Sequence, residues 1–143
     1  MRYFFFLGIF LLSTLACLAQ TSRERGFAPP APLQDRFWED YPQAERLHWE
    51  GTGTRYVARF SLNALQMQAH YDEDGTWAYT QVEVPPQRLP EKILDHYRAE
   101  FGAHPLLRAS FHDEPGNSYF RLEIRREGAV RWLHYDDQGE FIP

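Results

Sequence analysis

The chain has 143 residues, a single cysteine and a formal net charge of −5, and aromatic side chains make up 16% of it. This length suits one domain with a core of its own. The acidic balance excludes general affinity for nucleic acid or anionic membranes, and a lone cysteine excludes an internal disulfide framework or a cysteine-built zinc site.

Residues 1–19, MRYFFFLGIFLLSTLACLA, combine positive Arg2, an apolar run over 3–12 and small residues at Ala16 and Ala19. This is the pattern of a secretory signal peptide, too short to cross a bilayer. Cleavage after Ala19 predicts a periplasmic or secreted protein. A competing reading takes Thr14–Cys17 as a loose lipobox and makes the protein a lipoprotein through Cys17, although Thr14 stands where leucine is usual. Residues 20–32, polar and then Pro-rich, read as a flexible leader.

From residue 33 onward the chain aligns with itself. Phe37 matches Phe101, His48 matches His112, and His70-Tyr71-Asp72 matches His134-Tyr135-Asp136, without a gap. The spacing predicts one domain over 33–143 made of two copies, about 33–84 and 88–143.

In the first copy Leu33, Phe37 and Tyr41 lie at helical spacing and Pro42 stops the run. A strand is expected over about 44–51. RYVARFSL alternates, with Tyr56, Ala58, Phe60 and Leu62 inward and Arg55, Val57 and Arg59 outward. LQMQAHY alternates likewise, with Leu65, Met67, Ala69 and Tyr71 against Gln66, Gln68 and His70. A fourth strand is expected over 76–84.

In the second copy Pro90 suits the first helical position and Glu91 the positive end of the helix dipole. Ile93, Leu94, Tyr97 and Phe101 share one helical face, and Gly102 reads as a C-terminal cap. Strands follow over about 106–114, then with Phe120, Leu122 and Ile124 inward, then with Leu133 and Tyr135 inward, and last over 139–142. The expected architecture is α+β: a tandem repeat of helix plus four-stranded antiparallel sheet, with helices on one sheet face.

HYDEDG at 70–75 returns as HYDDQG at 134–139. As a ligand set, His70 and Asp72, and His134 and Asp136, would each bring two donors to a metal or small ligand, with no third in view. As a hairpin, Asp72 and Asp136 would accept backbone N–H groups two residues on. Gly75 and Gly139 would supply positive φ to close a three-residue loop. The hairpin accounts for more of the motif. A three-residue loop places Trp77 inside; a two-residue loop places it outside.

No GxSxG, HExxH, phosphate-binding glycine loop or CxxC occurs. The sequence therefore predicts no enzyme and no cofactor. Helices on one face leave the other open. There Trp132 and Tyr119 stand among arginines, a composition of recognition surfaces. The predicted contact residues are Trp132, Tyr119, Arg121, Arg59, His70 and His134. The predicted partner is a protein or peptide of the cell envelope, with the chain a monomer. The alternatives are a second small core beneath helix one or the Pro-rich leader, and a periplasmic metal or small-ligand carrier using His70, Asp72, His134 and Asp136.

FWEDYPQAERLHWE, YVARF, AHYDEDGTW, LPEKILDHY, YFRLEI and LHYDDQGEF, in this order and spacing, resemble the PepSY-like, beta-lactamase-inhibitor-like (BLIP-like) small periplasmic proteins of Bacteroidetes. The resemblance covers 33–143. It implies the tandem helix-plus-four-strand fold, no enzymatic activity, and a curved sheet able to hold a partner.

Overall fold

The computed structural model describes residues 27–143. The expected signal peptide, Cys17 and residues 20–26 of the leader lie outside the described residues. Helix α1 spans Ala31–Asp40. Pro30 precedes it and Pro32 lies in its first turn, where a missing N–H costs nothing. Strands β1 (Glu45–Gly51), β2 (Arg55–Leu62), β3 (Leu65–Asp72) and β4 (Trp77–Glu83) follow. A turn of 3-10 helix leads to α2 (Glu91–His96), which runs on as a π-helical turn through Tyr97–Phe101. Strands β5 (Leu106–Glu114), β6 (Asn117–Arg126), β7 (Ala129–Asp136) and β8 (Phe141–Ile142) complete the chain.

The strands form one eight-stranded antiparallel sheet in chain order. This corrects the expected tandem of helix-plus-four-strand units. The protein is mostly β, its two helices are short, and β4 pairs directly with β5 from Thr80↔Asp113 to Glu83↔Ser110. The reason is the cost of a bare edge. A four-stranded half would leave the β4 and β5 edges with unpaired N–H and C=O groups, and pairing them satisfies both.

One face of this sheet can be followed strand by strand. Phe60, Met67, Val82, Phe111, Phe120, Tyr135 and Phe141 are successive cross-strand partners from β2 to β8. Both helices pack on this face. Leu33 and Phe37 of α1 join Trp49, Ala58, Phe60, Ala69 and Tyr71 in one buried cluster. Ile93 of α2 joins Leu122, Ile124, Leu133 and Tyr135 in another. Phe37 is fully buried, with its ring edge-on to Trp49 and Phe60 at centroid distances of 5.5 and 5.0 Å.

Gly102 stands at the C-cap of the π-helical turn, as expected, but in a right-handed conformation. Its φ is −60°, so it is no left-handed cap. A Cβ there would lie 2.5 Å from the Arg98 carbonyl oxygen, so glycine is needed for close approach.

The two HYD hairpins share a backbone and differ in side chains. In the first, the Asp72 N–H donates to the Thr76 carbonyl at 2.8 Å and the Gly75 N–H to the Asp72 carbonyl at 2.9 Å. In the second, Asp136 and Gly139 repeat both bonds at 2.9 and 3.0 Å. Gly75 and Gly139 have φ of +84° and +79°. The loop therefore holds three residues, and Trp77 falls opposite Tyr71 and packs against the first cluster.

Asp136 Oδ1 accepts the Gln138 and Glu140 N–H groups at 2.9 and 2.8 Å, as expected. Asp72 does not play this part. Its carboxylate faces Arg55 at 3.3 Å, and Asp74 Oδ1 instead accepts the Thr76 N–H at 2.9 Å.

Two predictions follow from packing and turn chemistry. Phe37→Ala should cost about 3–5 kcal/mol in urea-unfolding free energy; a loss below about 1 kcal/mol would contradict the packing. Asp136→Ala should cost about 1–2 kcal/mol, since it strips two turn N–H groups of their acceptor. Asp72→Ala, which removes only an exposed ion pair, should cost less than about 0.5 kcal/mol. Equal losses at the two positions would show that the hairpins are stabilised alike.

Candidate recognition surface

Because both helices pack on the Phe60–Tyr135 face, the other face has no helical cover. Its register also crosses the whole sheet: His48, Arg59, Gln68, Gln81, His112, Tyr119 and Asp136 are successive partners from β1 to β7. The middle of this face is sunken. Val57, Ser110 and His112 are buried there, His112 being only 4% exposed.

His112 Nε2 lies 2.9 Å from Ser110 Oγ, and its ring stacks nearly parallel on Tyr119 at 4.9 Å. His70 stacks on Tyr79 at 4.1 Å. Burial pushes the His112 pKa down to about 4, and the nearby Arg121, His134 and His70 push the same way. Burial also lowers that of His70, with Arg55 and Arg59 adding to it. Desolvation and neighbouring arginines favour the uncharged ring in both, with Glu50 opposing them weakly at His70.

Tyr119, Arg121, Trp132 and His134 come together on β6 and β7. Arg121 stands opposite His134. Its guanidinium sits 6.0 Å from the Trp132 ring centre, within cation–π range. The Tyr119 and His134 rings are 5.8 Å apart. Tyr119, Trp132 and His134, with Phe141 and Ile142, line a cleft of about 370 Å³, which Arg121 does not line. Arg59 is elsewhere. It lies on β2, paired with Glu50 at 2.8 Å, and roughly 24 Å from β7 at the usual strand spacing. His70 lies between them on β3. The predicted set is thus an aromatic–arginine cluster at one end of the sheet and two separate positions toward the other.

Tyr79, Ser110 and His112 belong to this face and were not among the expected contact residues. Period-two alternation from the buried Thr80 would have found Tyr79, but its phase depends on the loop before Trp77. His112 follows the core-packed Phe111 and so takes the opposite face, although a bulge between Leu106 and Arg108 breaks the strand's alternation.

The expected ligand pairs form no metal centre. Among the described residues no three His, Cys, Asp or Glu side chains converge. Asp136 Oδ1 is occupied by the turn, and Asp72 by Arg55. Two polar atoms on the open face do lack partners among the described residues: His70 Nε2 and Arg121 Nε, both shielded from solvent.

The depressed His112 pKa links folding to pH. The unfolded chain protonates this ring near pH 6.5, the folded chain only near 4. Its stabilising contribution is therefore complete above about pH 6.5 and is lost as pH falls toward 4. Between pH 7 and pH 5 wild type should lose about 2 kcal/mol more than His112→Gln. Equal losses in thermal melts at the two pH values would rule out a neutral, buried His112.

No family profile and no curated protein sequence matches the chain. Solved structures do. A BLIP-like protein from Bacteroides fragilis superposes with a TM-score of 0.75 at 20% identity, over 82% of this chain and 85% of that one. A DUF2874 family protein from Bacteroides ovatus gives 0.73 at 20% identity, over 82% and 87%. A structure from Bacteroides eggerthii, described as periplasmic, gives 0.70 at 17% identity, over 82% and 88%. None of the three is described as PepSY-like or as an enzyme, and no helix among the described residues is long and apolar enough to cross a membrane. In fold, this chain is similar to these BLIP-like and DUF2874 proteins of Bacteroides.

Proposed function

We propose that this protein is an exported, non-enzymatic binding or inhibitory module that takes a protein or peptide partner on its uncovered sheet face. The observation that carries the proposal is the Tyr119–Arg121–Trp132–His134 cluster. Trp132 is 60% exposed beside Arg121, whose terminal nitrogen lies 3.7 Å from Glu123 and whose Nε is shielded and has no partner among the described residues. A large apolar ring in water and an unspent donor next to it both gain from a partner that covers the ring and supplies an acceptor. The description of one structural neighbour as BLIP-like points to inhibitory protein binding by that protein and supports the same use here. Cleavage of the signal at Ala19 would place the module in the periplasm. The carrier reading is weaker, because His70 and His134 sit on different strands and their neighbouring aspartates are engaged.

Immobilised protein should capture a saturable partner from periplasmic extract. Trp132→Ala, Tyr119→Ala and Arg121→Ala should each fold as wild type does but weaken capture by roughly tenfold or more. Wild-type capture by all three variants would remove the cluster from the contact surface.

A further inference from the structure

The outer edge of β7 is a second feature, which borders the open face and shares its aromatic cleft. Strand β7 pairs with β6 along its whole length, from Arg126↔Ala129 to Tyr119↔Asp136. On its other side β8 pairs only with His134 and Tyr135. Among the described residues, 129–133 therefore have no outer strand.

The direction of the backbone groups follows from one bond. The Asp136 N–H donates outward, to the Glu140 carbonyl at 2.9 Å. In an antiparallel strand a residue's N–H and C=O point to the same side, and the side alternates residue by residue. His134, Trp132 and Val130 thus also point outward. His134 faces Ile142, and the groups of Trp132 and Val130 face no strand among the described residues.

Exposed edges of this kind are normally blunted by proline, a bulge or charged side chains, and Arg131 is the one charge on this edge. This one reads Ala129-Val130-Arg131-Trp132, keeps unbroken register with β6, and leaves Val130 and Trp132 47% and 60% exposed.

A cleft flanks the edge on each sheet face. On the open face is the roughly 370 Å³ cleft of Tyr119, Trp132, His134, Phe141 and Ile142. Toward the helix face a cleft of about 350 Å³ lies among Phe101, Ile124, Leu133, Arg126 and Arg131, with Glu127 its one acid, and Trp132 and Phe141 line both clefts. Side chains of an added strand alternate between sheet faces, so successive residues would reach the two clefts in turn.

We infer that the β7 edge binds an extended polypeptide segment as an added strand, and that the segment alternates apolar residues on the open face with acidic residues on the arginine side. Backbone pairing to Val130 and Trp132 supplies the register. The aromatic cleft takes the apolar side chains, and Arg126 and Arg131 select the acids. A second copy is the poorer occupant, because β7 against β7 sets Arg131 beside Arg131, and like charges across a ladder repel.

The test uses the full chain and a fluorescein-labelled, capped peptide of alternating isoleucine and glutamate, read by anisotropy. Wild type should bind it and should not bind the same peptide with lysine for glutamate. Val130→Pro removes an outward N–H without touching the β6 ladder and should weaken binding by about tenfold or more. Arg131→Glu should weaken the glutamate peptide and favour the lysine peptide. Hydrogen exchange at the Val130 and Trp132 amides should slow when the glutamate peptide is added. Absence of binding to wild type, or equal binding by Val130→Pro, would overturn the inference. So would a wild-type dimer that Val130→Pro dissociates, since the edge would then belong to a second copy. Val130 lies outside the Tyr119–Arg121 contact set, so loss of peptide binding in Val130→Pro with unchanged partner capture would separate the two surfaces.

Discussion

The ladder between β4 and β5 is the constraint on which the rest of the structure depends. It is the seam between the part of the sheet covered by α1 and the part covered by α2. With it closed, an unbroken aromatic and aliphatic row lies under both helices, and the opposite face is continuous as well. Without it, Gln81 would not meet His112, and the open-face row from His48 to Asp136 would stop at β4. The proposed recognition surface is therefore a product of sheet pairing as much as of the residues on it.

Continuity also explains the electrostatics. A row of neighbours from adjacent strands buries His112 without a helix over it, and Arg121 is the guanidinium near it. Burial and positive neighbours act together, so the ring stays neutral and spends its nitrogen on Ser110. The polar middle of the face is thus quiet at neutral pH. The exposed apolar area and the unspent donor of Arg121 gather at the β7 end. His70 Nε2 on β3 is the other partnerless atom of this face among the described residues, but only the β7 end joins such an atom to a large exposed ring.

Much of this was legible in the residues. The alternation in RYVARFSL and LQMQAHY gives strand phase, because the pleat repeats every two residues and one face must leave water. The HYD turns were legible because Gly75 and Gly139 answer a stereochemical demand few other residues meet. Tyr119, Arg121, Trp132 and His134 could be grouped because β6 and β7 form one hairpin with a short loop.

The pairing of β4 with β5 was not legible. It joins strands separated by a helix, and nothing local distinguishes an edge that will be covered from one that will not. Two separate units were expected for that reason. The same non-locality hid Tyr79 and His112, and it placed Arg59 in a patch from which five strand spacings remove it. Asp72 and Asp136 look alike in sequence. They diverge because Arg55 stands opposite Asp72, whereas Tyr119 stands opposite Asp136.

Native-state hydrogen exchange at the seam tests the single sheet most directly. The Val84 N–H donates to the Ala109 carbonyl at 2.9 Å, and by strand alternation the Val82 and Thr80 N–H groups also face β5. These amides should exchange as slowly as those in the β2–β3 and β6–β7 ladders, and lose protection together with them as urea is added. Fast exchange at Thr80, Val82 and Val84 while both flanking ladders stay protected would mean two independent half-sheets and would contradict the account.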